Sequence, residues 1–146
     1  MILTSDPNGN TAGAEWLVDA YECDADALRS PDAIRRVFDE LVNTLRLHPV
    51  CAPSWHIFPG EGGLTGYLVL RESHVSCHTF PERGFAAFNL YCCQPRDDWA
   101  WAEHLGNLLR AGKVVIRRVE RGVFGPLDAT AGEVDARRKS RLDASA

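Results

Sequence analysis

The chain has 146 residues, 45% of them hydrophobic and 25% charged, which is the size and composition of a single globular domain. Its formal net charge of −4 argues against nucleic acid or an anionic membrane as the main partner. No apolar run approaches the roughly 20 residues of a membrane span, and residues 1–13 lack the basic start and apolar core of a signal peptide.

We expect one domain over residues 14–127, between flexible segments at 1–13 and 128–146 that are rich in small, polar or charged residues. At the start of this domain, Trp16–Tyr21 alternates well enough to predict a first strand. Because no export signal is recognised and the 5 cysteines are an odd number, the sequence predicts reduced thiols and a cytoplasmic protein.

A helix is predicted to begin at Ser30-Pro31-Asp32. This stretch combines a capping hydroxyl, a proline whose missing N–H costs nothing in the first turn, and an acid near the positive helix end. Apolar residues at helical spacing from Ile34 to Leu45 form its buried stripe. Pro49 lies just past the last turn, which indicates an end there.

Four strands are predicted next, at Ser54–Phe58, Leu64–Leu70, His74–Phe80 and Phe85–Cys92. The stretches "PGEGG" and "PERG" are typical of turns between them. A second helix over about residues 98–111 and a final strand over Lys113–Glu120 complete the domain.

The predicted order β-α-β-β-β-β-α-β indicates an α/β (α+β) fold. We expect a two-layer sandwich, with an antiparallel-rich sheet and both helices on one face. A single helical layer covers only one face of such a sheet. We therefore expect the other face to meet a second copy of the chain rather than water.

The stretch "RESHVSCHTFPERG", residues 71–84, is unusually polar for a strand. Strand alternation places His74, Ser76 and His78 on one face and Val75, Cys77 and Thr79 on the other. In the following strand Cys92 continues an apolar face, which predicts a small core residue. Cys93 then falls on the face of the histidines.

The residues alone leave three interpretations of this cluster open. The histidines and cysteines can be ordinary structural side chains. His74, His78 and Cys93 can form a zinc site, although no fourth ligand stands at a recognisable spacing. Ser73, at a turn between strands, can be a nucleophile activated by a nearby imidazole, although no G-x-S-x-G motif surrounds it.

The longer stretch "GGLTGYLVLRESHVSCHTFPERGFAAFNLYCC" resembles the core of the short bacterial and archaeal S-adenosylmethionine decarboxylase proenzymes. Its E-S-H-x-S-x-H-T-x-P-E portion is highly specific, and the resemblance covers about residues 15–122. It implies a pyruvoyl-dependent enzyme that makes decarboxylated S-adenosylmethionine, the aminopropyl donor for spermidine and other polyamines. It also implies a homodimer of two-chain units, with each pocket between the protomers.

By this resemblance the chain cuts its own backbone between Glu72 and Ser73, giving fragments 1–72 and 73–146 that stay folded together. The Ser73 hydroxyl attacks the Glu72 carbonyl to form an ester, and elimination and hydrolysis then leave a covalent pyruvoyl group. His78 matches the family residue that assists self-processing as a base. Thr65 matches a serine or threonine that assists the rearrangement.

The resemblance also implies roles in the decarboxylation. The pyruvoyl group derived from Ser73 would form a Schiff base with the substrate amine and accept electrons as carbon dioxide leaves. Cys93 matches the family's proton donor for the resulting carbanion. Phe58 matches the aromatic residue that flanks the adenine, and Glu82 matches the carboxylate that binds the ribose hydroxyls.

Two further positions are expected to line the substrate pocket, His74 and Phe80, and the second stands where the family usually has tryptophan. Tyr91–Pro95 also differs from the family's F-T-C-G. These departures concern the pocket rather than self-processing. The alternative for the substrate is therefore a pyruvoyl-dependent ornithine or arginine decarboxylase. A different class also remains open, a binding or regulatory homologue that does not process itself. No metal is implied.

Overall fold

The computed structural model describes residues 11–126 and residue 132. Along this part of the chain the elements are β1 (Gly13–Tyr21), α1 (Ala25–Arg29), α2 (Pro31–Leu45), β2 (Ser54–Ile57), β3 (Leu64–Leu70), β4 (Ser73–Phe80), β5 (Phe85–Cys92), α3 (Trp101–Leu109) and β6 (Lys113–Arg121). A short 3-10 turn at Pro81–Arg83 joins β4 to β5. Every predicted strand and both predicted helices are present.

The helices differ from the prediction at two places. α1 was not predicted, because its 5 residues are too few to show a helical period. The Asp24 side chain starts this helix by accepting a hydrogen bond from the Ala27 N–H at 2.9 Å. α3 begins at Trp101 rather than at residue 98, and the Asp98 carboxylate instead accepts a hydrogen bond from the Trp16 indole at 3.0 Å.

All 6 strands form one sheet in the order β2-β3-β4-β5-β1-β6, and every neighbouring pair is antiparallel. The helices cover one face of this sheet, which confirms the two-layer α+β sandwich. α2 contributes Ile34, Val37, Phe38 and Leu41 to the core beneath the sheet. Within the described ranges, each helix is too short or too polar to cross a membrane.

The predicted flexible ends lie mostly outside the described residues, namely 1–10, 128–131 and 133–146. At the N-terminal end, the Ala12 N–H donates to the Arg121 carbonyl at 2.8 Å, and Gly13 already belongs to β1. Regular structure therefore starts slightly before the predicted boundary.

The second face of the sheet carries large apolar and aromatic side chains. Leu17, Tyr67 and Val119 are 38%, 42% and 41% exposed. The His74 ring lies between Tyr67 and Tyr91, with ring centroids 5.6 Å and 5.8 Å away. Because the helices lie on the opposite side, this open face has the character of an interaction surface.

Thr79 ties the sheet to the helical layer, and its replacement is expected to destabilise the fold. Its buried hydroxyl accepts a hydrogen bond from the Leu64 N–H at 3.0 Å and donates one to the Leu28 carbonyl at 2.8 Å. Thr79→Val keeps the shape but leaves both backbone groups unpaired. The free energy of unfolding is therefore expected to fall by about 1–3 kcal/mol.

Urea unfolding measures this loss of stability. The measurement uses a Ser73→Ala background, because that change prevents the self-cleavage which the resemblance implies and keeps the chain in one piece. Thr44→Val is the matched control, because Thr44 is exposed near the end of α2 and its replacement should cost less than about 0.5 kcal/mol. Equal stability of the two variants would contradict the role given to the Thr79 hydroxyl.

Candidate active site

Glu72 and Ser73 lie at the tight hairpin between β3 and β4, where Leu70 pairs with Ser73. The Glu72 carbonyl oxygen accepts two hydrogen bonds from Cys93, one from the backbone N–H at 3.1 Å and one from Sγ at 2.7 Å. Ser73 Oγ is buried and makes no hydrogen bond of good geometry with any described residue. The Glu72–Ser73 peptide bond therefore combines a doubly hydrogen-bonded carbonyl with an adjacent, uncommitted hydroxyl.

The two adjacent cysteines occupy different environments, as strand alternation predicts. Cys92 is buried on the helix side of β5, and Cys93 is exposed just past its end. Burial raises the pKa of the Cys92 thiol, and the nearby Ser73 hydroxyl lowers it to a smaller extent. Cys77 is also a core residue, since burial raises the pKa of its thiol to about 12. Cys93 is therefore the accessible thiol beside the Glu72 carbonyl.

A separate cavity of about 260 Å³ lies near the other end of β4. Among the side chains that line it are five with expected roles: Phe58, Thr65, His78, Phe80 and Glu82. Thr65 and His78 stand opposite each other on β3 and β4, and Thr65 Oγ1 lies 2.9 Å from His78 Nδ1. The 3-10 turn after β4 carries Glu82 to the same place.

The structure does not bring these two sets of residues together within one chain. Ser73 and His78 are five positions apart on a single strand, a distance of about 16 Å at roughly 3.3 Å per residue. They also lie on opposite faces of the sheet. Ser73 is two residues before the buried Val75 and therefore shares its face, whereas His78 is exposed on the other face. Within a single protomer, the His78 side chain therefore does not reach Ser73, and the role of His78 in self-processing stays a prediction.

His74 takes an intermediate position on the open face, where it pairs with Tyr91 across β4 and β5. It lies next to Ser73 in the chain but outside the cavity that contains His78. Among the described residues, no three or more His, Cys, Asp or Glu side chains are grouped so that they could hold a metal ion. The zinc site considered for His74, His78 and Cys93 is therefore not assembled in this part of the chain.

Comparisons with known proteins agree on one family. The sequence model of the family described as S-adenosylmethionine decarboxylase matches residues 14–122. A protein of Pyrobaculum aerophilum named S-adenosylmethionine decarboxylase proenzyme is 34% identical over 106 residues, which are 72% of this chain and 84% of that protein. One of the same name from Thermococcus onnurineus is 29% identical over 114 residues, 77% of this chain and 79% of that protein.

A solved structure shows the same fold. The crystal structure of the adenosylmethionine decarboxylase from Aquifex aeolicus VF5 aligns with a TM-score of 0.64 at 23% sequence identity. The alignment covers 85% of this chain and 99% of that one. The sandwich described above is therefore an arrangement already seen in a solved protein.

Proposed function

The chain belongs to the S-adenosylmethionine decarboxylase family, and on that basis we propose that it cuts itself between Glu72 and Ser73 and then decarboxylates S-adenosylmethionine with a pyruvoyl group made from Ser73. The observation that carries this proposal is the pair of hydrogen bonds from Cys93 to the Glu72 carbonyl oxygen. The product would serve as an aminopropyl donor for polyamine synthesis.

Self-cleavage begins when Ser73 Oγ attacks the Glu72 carbonyl carbon and the C–N bond of that peptide breaks, leaving an ester. Negative charge develops on the Glu72 oxygen during the attack, and the Cys93 N–H and thiol are already aimed at that oxygen. A base then removes the Cα proton of Ser73, and Glu72 leaves as a carboxylate. The dehydroalanine that remains takes up water and releases ammonia.

The residues around Ser73 fit the pyruvoyl group that this series of reactions would create. When present, a pyruvoyl group supplies an electrophilic carbonyl that accepts electrons as the substrate loses carbon dioxide. Cys93 lies just past the partner of Ser73 in the β4–β5 register, because Ser73 pairs with Cys92. The exposure of its thiol supports the proposed role of Cys93 as the proton donor to the substrate carbon that has lost its carboxylate.

The separation of Ser73 from His78 supports a homodimer formed through the open face. In a two-fold dimer the same patch of both protomers meets. When the two-fold axis runs across the strands between the two facing sheets, one end of β4 faces the opposite end of its copy. The exposed Cys93 of one protomer, together with the Glu72–Ser73 bond that it contacts, would then stand against the partner's cavity with its Thr65 and His78. The apolar side chains of the open face would be buried in the same step.

Mixing two inactive variants tests this shared site. Ser73→Ala and His78→Ala chains are each expected to stay largely uncut when purified alone. After refolding as a mixture, the His78→Ala chain is expected to be cut, because the Ser73→Ala partner supplies the missing histidine. Intact mass spectrometry of differently tagged chains follows each one separately.

The control mixes His78→Ala with the double variant Ser73→Ala/His78→Ala, which supplies no histidine and should leave the chain uncut. Efficient cleavage of an isolated His78→Ala chain would contradict the role of His78. A mixture that stays uncut, or a wild-type chain that cuts itself as a monomer, would contradict the shared site.

The substrate is tested by carbon dioxide release from carboxyl-labelled S-adenosylmethionine, ornithine and arginine in parallel. The aromatic side chains of Phe58 and Phe80 at one cavity suit a purine and a sulfonium cation, and Glu82 there suits ribose hydroxyls. We therefore expect release from S-adenosylmethionine alone. Release from only the amino acids would overturn the substrate assignment and leave the pyruvoyl chemistry intact.

A further inference from the structure

The side chain of Glu72, next to the cleavage site, is held by two residues that the sequence analysis did not identify. Its carboxylate Oε1 accepts a hydrogen bond from Arg96 Nη2 and lies 3.6 Å from His48 Nδ1. The Glu72 and Arg96 side chains are only 13% and 19% exposed, so their ion pair is largely shielded from water. The His48 side chain is 53% exposed and contributes less.

The ion pair joins the two chain segments that meet at the scissile bond. Arg96 follows Cys93 by three positions, in the same loop that supplies both donors to the Glu72 carbonyl. This loop is thus tied to Glu72 twice, once through the backbone and once through the side chain. On the opposite side, the Arg71 N–H donates to the His48 carbonyl at 2.8 Å and fixes the hairpin that carries Glu72.

We propose that Arg96 is a positioning residue for self-cleavage. Through its ion pair with Glu72, it keeps the Glu72 carbonyl oxygen within hydrogen-bonding distance of the Cys93 donors. The inference rests on the proposed function, because it concerns the same bond. Attack by Ser73 Oγ needs the carbonyl carbon within reach and its oxygen on the two donors. Without the ion pair the loop and the hairpin lose one of their two ties, so this geometry is populated less often.

A displacement of about 1 Å at a reacting group costs on the order of a hundredfold in rate. We therefore expect Arg96→Gln to slow self-cleavage by about tenfold to a hundredfold. Glu72→Gln, which keeps the length of the side chain but removes its charge, should have a similar effect. Arg96→Lys retains the charge with fewer donors and should give an intermediate rate.

The experiment follows the first-order conversion of freshly refolded full-length chain into two fragments by intact mass. Arg46→Gln is the matched control, because Arg46 lines the same 560 Å³ cavity as Arg96 but has no contact with Glu72 among those described. It should cleave at the wild-type rate. The double variant Glu72→Gln/Arg96→Gln should cleave no more slowly than the slower single variant, since both changes remove the same interaction.

Wild-type cleavage rates in Arg96→Gln, or effects of the two single changes that multiply in the double variant, would overturn this inference alone. So would an equal slowing in Arg46→Gln. Urea unfolding of each variant in the Ser73→Ala background separates a positioning role of Arg96 from a role in folding. If Arg96 only stabilised the fold, the cleavage rates of the variants would follow their free energies of unfolding, and Arg96→Lys would not restore cleavage. A wild-type chain that never cuts itself would overturn the proposed function and this inference with it.

Discussion

Ser73→Ala is expected to leave the chain uncut and without decarboxylase activity. Alanine has no hydroxyl to attack the Glu72 carbonyl, so neither the ester nor the group derived from it can form. Residues 1–72 and 73–146 should then remain one species of full-length mass after incubation that converts the wild type completely. Carbon dioxide release should fall to background, because self-processing creates the electrophile.

Ser76→Ala is the matched control for this prediction. Ser76 lies on the same strand, three residues after Ser73, and alternates onto the open face. Its replacement should leave cleavage at Glu72–Ser73 unchanged. Fragments that still end at residue 72 in the Ser73→Ala chain would contradict a mechanism in which this hydroxyl attacks.

Cys93→Ala is expected to have two separable effects. It removes the proton donor, so carbon dioxide release should fall by at least about a hundredfold. It also removes one of two hydrogen bonds to the Glu72 carbonyl oxygen, so self-cleavage should slow by a comparable factor, on the order of a hundredfold. The Cys93 backbone N–H remains, and cleavage should therefore still reach completion.

Two variants separate these effects. Cys93→Ser retains a donor near the Glu72 oxygen but replaces the acid, so it should cleave more readily than Cys93→Ala while its turnover stays low. Cys92→Ala removes the neighbouring buried thiol and should leave turnover close to that of the wild type. Loss of turnover in Cys92→Ala but not in Cys93→Ala would contradict the assignment of the donor.

Most of what could be predicted from the sequence came from the alternation of side chains along strands. The run from His74 to Phe80 alternates between buried and open positions in the structure as expected, because a half-buried strand must put every second side chain into the core. The same rule assigned Cys92 to the core and Cys93 to the surface. Family motifs supplied the expected roles, which alternation alone could not distinguish from ordinary packing.

Other features depend on contacts between distant parts of the chain and left no local signal. Arg96 and His48 reach Glu72 from segments 24 residues after and 24 residues before it, and neither belongs to a motif with a fixed spacing. The separation of Ser73 from His78 was readable from strand geometry, at about 3.3 Å per residue. The motif alone does not show this separation, because it places the two residues close together in sequence.

The most direct measurement treats the purified wild-type protein with S-adenosylmethionine and cyanoborohydride and then determines intact masses. Self-cleavage and a substrate-binding carbonyl at residue 73 predict two fragments. Fragment 73–146 should carry the added mass of the substrate or its decarboxylated product, and fragment 1–72 should be unmodified. A single unmodified chain of 146 residues would contradict the proposed function. Labelling of fragment 73–146 by ornithine or arginine, and not by S-adenosylmethionine, would contradict the proposed substrate.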